Sequence, residues 1–233
     1  MKPSPILLTI IAAFSENINP DLAVGMKAYM KGKFEYFGIK SPLRKEISKP
    51  VLQNCKSLSK AETINLAKQL WNEPQRELHY ISMELLFQNL KKVLVKEDIE
   101  SLEWFITKNS WWDTVDFIAP KLMAAYFQKF PDERKLKTDQ WIKSENIWLI
   151  RSAILFQLKY KKDTDLDLLF GIILRVNHTK EFFINKAIGW ILRENAKRIP
   201  IVIYDFIRNH QHELSNLSIR EGLKHSTTEQ LKL

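Results

Sequence analysis

Only six glycines are spread through 233 residues, and the nine prolines fall mostly where stretches of helical apolar period would begin or end. Long periodic segments with so little glycine, and no convincing pair of strands, predict an all-α chain. Helices are expected at about 5–15, 20–31, 42–55, 60–70, 74–90, 97–107, 112–129, 133–143, 146–160, 164–175, 180–197, 200–209 and 215–225. Ser41-Pro42 has the order of a cap followed by a first-turn proline, and Pro74, Pro131 and Pro200 mark other boundaries. No Pro/Gly/Ser-rich linker divides the chain, so a single domain spanning 1–233 is expected.

A degenerate internal repeat bears on architecture. Segments starting at Trp71, Trp112, Trp148 and Phe183, separated by 41, 36 and 35 residues, each carry a charged residue three to five positions on. Those charges are Arg76, Asp116, Arg151 and Lys186, and an apolar run follows each. Helix pairs recurring at that period predict HEAT-like units stacked into a curved solenoid, with the four charges on a common concave face. Ordinary helix packing with chance spacing is the alternative.

Charge points to a partner. Thirty-six Lys and Arg stand against 27 Asp and Glu, a net charge of +9, which favours a polyanionic partner. A single cysteine, Cys55, excludes an internal disulfide and suits a reducing compartment. The five histidines, His79, His178, His210, His212 and His225, are scattered without metal-ligand spacing, so no metal is expected. The apolar stretch Ile6 to Phe14 is short and only Lys2 precedes it. It reads as a first packed helix rather than a targeting or membrane segment, and a cytoplasmic protein is expected.

The densest chemistry lies in Ser110-Trp111-Trp112-Asp113-Thr114-Val115-Asp116. On a regular helix Asp116 shares a face with Trp112 and projects between Met123 and Phe127, at the edge of the apolar stripe. A carboxylate there must be paired, protonated or functional. Equally, Asp113 reads as an N-cap and Asp116 as a third helical residue favouring the helix dipole. Arg151 sits among Ile147, Leu155 and Leu158, where a permanent cation demands an anion, whether a phosphate or an acid such as Asp116. Trp190 is bordered by Lys186, Arg193 and Lys197, an arrangement that suits stacking beside a phosphate backbone or a half-buried ring at the core margin. The stretch from Lys27 to Lys45 mixes cations and rings, including Tyr29 and Arg44, and is a candidate polyanion contact. Its Gly32 and Gly38 are wrongly placed for a phosphate-binding loop, which rejects a nucleotide triphosphatase. No Ser-His-Asp or Cys-His arrangement stands out.

Taken together, Tyr29-Met30-Lys31, Phe37-Gly38-Ile39-x-Ser41-Pro42, the tryptophan-rich heptapeptide, Asn146-Ile147-Trp148-Leu149-x-Arg151 and Phe182-Phe183-Ile184 to Ala187-Ile188-Gly189-Trp190 resemble the AlkD family of DNA-alkylation-repair glycosylases. The likeness runs through Ile154 to Lys161 and on to Leu214 to His225. It implies a monomeric HEAT-like solenoid that binds double-stranded DNA and excises positively charged N3- and N7-alkylpurines in base excision repair, with no metal or cofactor and no membrane. It further implies Asp116, Trp112, Trp190 and Arg151 as catalytic residues and Tyr29 as an accessory DNA contact. Arg44, Lys186 and Arg193 are expected to join it on the DNA. The resemblance also implies contact with the lesion-bearing backbone in place of the base flipping that glycosylases ordinarily use. A cationic purine leaves without a general acid, so one carboxylate suffices to stabilise an oxocarbenium-like sugar and present water. The rival is a non-catalytic HEAT-repeat protein that recognises DNA structure.

Overall fold

The computed structural model describes residues 4–224 and residue 226; the expected helix end at His225 and the tail beyond Ser226 lie outside them. The described residues are helical, as the low glycine content predicts, and they pack into two compact units, Met1–Val95 and Lys96–Leu233.

The first unit holds α1 (Pro5–Ser15), α2 (Pro20–Tyr29), α3 (Ser41–Asn54), a short 3-10 turn at Cys55–Ser57, α4 (Lys60–Asn72) and α5 (Arg76–Leu90). Helix α2 stops at Tyr29, short of the expected 31, because Lys31 and Gly32 both take positive φ, +58° and +70°. Ser41 is not a cap. It is the first residue of α3, and Lys40 precedes it with no side-chain capping bond. The core gathers Phe14, Leu70, Trp71, Leu78 and Ile81 where α4 packs along α5. The loop before α3 is fixed by one buried side chain: the Glu77 carboxylate accepts the consecutive backbone N–H groups of Phe37, Gly38 and Ile39 at 3.2, 3.0 and 3.1 Å. Gly38 has φ +86°, and a Cβ there would lie 1.9 Å from the Asn19 carbonyl, so no other residue fits.

The repeat fails at its first member. Trp71 lies near the end of α4 rather than at the start of a helix. Arg76 is fully buried in the first unit, bonded to His79 Nδ1 at 2.8 Å and lying over the Phe34 ring at 3.8 Å, so it lines no open face.

The second unit runs α6 (Asp98–Thr107), α7 (Trp112–Ile118), α8 (Ala124–Lys129), α9 (Glu133–Lys143), α10 (Ile147–Leu155), α11 (Leu166–Val176), α12 (Phe182–Ala196), α13 (Pro200–Asn209) and α14 (Asn216–Gly222). The single helix expected over 112–129 is two, joined by a π-helical turn at Ala119–Met123 that contains Pro120. The helix expected over 146–160 ends at Leu155. Beyond it the buried Gln157 bonds both the N–H and the C=O of Asp165, turning the chain toward α11. Helix α10 is central, packing against α7 and α12, which brings three sequence-distant segments to one place.

Candidate active site

Helix α7 begins two residues earlier than Asp113 would require of a cap: Trp111, in extended backbone, is the N-cap, Trp112 is the first helical residue and Asp116 the fifth. Asp116 is therefore not a first-turn dipole partner; it needs another explanation. Helix α10 supplies one. Asn146 caps α10 by accepting from Trp148 and Leu149 N–H, and this sets the rotation that turns Arg151 inward toward α7.

Arg151 Nε donates to Asp116 Oδ1 at 2.8 Å and Nη2 donates to Oδ2 at 2.9 Å, a fork-to-fork pair. Its Nη1 donates to the Phe183 carbonyl in the first turn of α12. Arg151 is 3% exposed, and the Asp116 side chain 17%. The cation on an apolar face thus has an acid as its anion. The two acceptor oxygens required by the forked contact are those of an ionised carboxylate. Burial pushes the Asp116 carboxyl above the usual aspartate range, opposed by the hydrogen bonds and charge of Arg151. Removing one partner of such a pair would cost roughly 3–5 kcal/mol, since the other charge would stay buried alone.

The segments that bring this pair together also carry a group of rings. Trp111, Trp148 and Phe183 form a mutual cluster with centroids 5.4, 5.0 and 5.1 Å apart. Phe182 stands edge-on to Phe183 and is largely exposed. Trp112 and Trp190 are each half-buried. Trp190 follows Phe183 by two turns on α12, so it shares a face with the residue whose carbonyl holds Arg151. The sequence reading missed Trp111 and Phe183. Trp111 and Trp112 are both half-buried, so adjacency in the sequence does not single out one of them.

Farther along α12, both oxygens of Glu221 are taken: Lys186 Nζ lies 2.7 Å from Oε1 and Arg193 Nη1 2.8 Å from Oε2. The Lys186 bond, and then that of Arg193, hold the Glu221 carboxyl down at about 2. Gly189 makes the approach of α14 possible, because a Cβ there would come within 2.5 Å of Glu221 Cβ and 2.8 Å of the Ser218 carbonyl. Lys186 remains 40% exposed, so its ammonium faces solvent as well as Glu221.

The first unit contains the other two expected contacts. Tyr29 ends α2 and is 69% exposed. Arg44 differs from the expectation: it is 7% exposed, bonded to Glu84 at 3.0 Å and packed over Tyr80, the position of a structural cation rather than a DNA contact. Among the described residues no group of three or more His, Cys, Asp or Glu is set to hold a metal ion, and no helix is long and apolar enough to cross a membrane.

A family model described as "DNA alkylation repair enzyme" matches residues 10–226. Among solved structures, a "Predicted DNA alkylation repair enzyme from Enterococcus faecalis" is similar over 91% of this chain and 97% of its own, with 30% sequence identity and a TM-score of 0.83. No match was found among curated protein sequences.

Proposed function

Because the chain belongs to the DNA alkylation repair enzyme family, we propose that it is a monofunctional glycosylase that hydrolyses the N-glycosidic bond of N3- and N7-alkylated purines in duplex DNA. The observation that carries this reading is the forked Arg151–Asp116 pair, held by α7 and α10, which also supply the ring pair Trp111–Trp148. An alkylated purine already bears positive charge, so its departure needs no proton donor. What the reaction lacks in water is a fixed negative charge beside the sugar as cationic character develops, and that is what a preorganised carboxylate supplies. Asp116 takes this role and orients the attacking water.

Arg151 serves first as the clamp that keeps Asp116 ionised and aimed in spite of burial. Three of its five N–H donors are committed within the protein, two to Asp116 and one to the Phe183 carbonyl. Trp112 and Trp190 flank the deoxyribose, their ring faces favouring nearby positive charge. Lys186, Arg193 and Tyr29 contact the DNA backbone.

The test is release of free 7-methylguanine from duplex DNA under single-turnover conditions. Time-dependent release supports the reading. Tight binding to the same duplex with no base released supports the rival, a DNA-structure-binding protein without chemistry.

A further inference from the structure

The wide turn between α7 and α8 decides where the Asp116 carboxylate points. Up to Ala119 the helix is regular, with Ala119 N–H bonded to the Val115 carbonyl four residues back. The next residue is Pro120, which has no N–H to give to the Asp116 carbonyl. The pattern then widens: Ala124 N–H reaches the Ala119 carbonyl, five residues back. A π-turn holds one residue more than an α-turn, so it shifts the faces on its two sides by about one residue, roughly 100°.

That rotation separates two outcomes for Asp116. On an uninterrupted helix it would align with Met123 and Phe127, both fully buried. Helix α8 cannot rotate to accommodate it, because Phe127 is locked against Trp141 and Phe156 and the Tyr126 hydroxyl is bonded to the Lys96 carbonyl at 3.0 Å. With the π-turn, Asp116 leaves that stripe and meets Arg151. We propose that Pro120 is a positioning residue: by denying the Asp116 carbonyl its usual donor it fixes the wide turn, and the turn rotates α7 so that Asp116 faces Arg151 instead of the core. The effect on excision rests on the glycosylase reading; the effect on the carboxyl does not.

Two variants test this. Pro120→Ala restores the missing donor and lets the regular pattern run on, so α7 must take up the extra residue by turning. Pro120→Ala with Lys121 deleted removes the extra residue as well, and a regular helix then keeps both flanks in their native phase. The readouts are the titration midpoint of the Asp116 carboxyl by carbon-13 NMR, single-turnover excision of 7-methylguanine, and affinity for undamaged duplex. Pro120→Ala is expected to raise the midpoint, since burial is no longer opposed by Arg151, and to slow excision by ~10²-fold with unchanged duplex affinity. The deletion variant should recover both midpoint and rate. A wild-type midpoint and rate in Pro120→Ala overturns the proposal, as does a loss that the deletion does not repair. Should Pro120→Ala fail to fold, the deletion variant decides alone: a wild-type midpoint supports the proposal and a raised one overturns it. A wild-type protein that releases no base refutes the glycosylase reading and leaves the midpoints to judge this one.

Discussion

Asp116 is where charge, burial and chemistry meet. Asp116→Asn keeps the shape and removes the charge, so 7-methylguanine excision should drop by ~10²-fold or more, while affinity for undamaged duplex stays level or rises. Equal excision by the two proteins would defeat the mechanism. Asp113→Asn is the control and should excise normally, now because Asp113 is neither the cap nor the partner of Arg151. The pH profile adds a sign. Burial places the Asp116 carboxyl above the ordinary aspartate range, so excision should fade on acidification at a higher pH than an exposed aspartate would give; an acid limb below that range would exclude Asp116. Residue type told where charges would matter but not who would hold them. Arg151 was legible as a cation needing an anion, whereas choosing between phosphate and Asp116 required α10 to be laid against α7. Arg44 and Arg76 show the limit. A buried arginine and a DNA-reaching one look alike in sequence, since both follow helical spacing and neither can lose its charge.

At the scale of elements, capping and proline signals placed the helices closely, because those signals are local. What was not local went unseen. The π-turn leaves no periodic signature beyond a proline that elsewhere reads as a boundary, and the stop after Leu155 depends on Gln157 reaching Asp165 eight residues on. The pairing of α12 with α14 hinges on Gly189, which the sequence offers only as a weak helix residue. Gly189→Ala should force the two helices apart and cost ~1–3 kcal/mol, lowering Tm by roughly 2–4 °C per kcal/mol in a chain of this size. Thermal unfolding of the variant checks it, and an unshifted Tm would show that α14 yields without cost.

For the whole molecule, a net charge of +9 describes a surplus, not a set of idle cations. Affinity for duplex should fall steeply with salt and depend little on sequence. Replacing Lys186 by Gln should weaken damaged and undamaged duplex alike and flatten the salt slope by about one; a change confined to damaged DNA would mean Lys186 reads the lesion. The grip of Glu221 on Lys186 and Arg193 also bears on how variants of this protein are to be understood. Two cations expected to meet the nucleic acid are aimed by a helix of seven residues whose own contacts, through Gly189 and Glu221, are with protein. Damage to α14 would therefore surface as a defect in grasping DNA, and a genetic screen would file under recognition a fault that belongs to scaffolding.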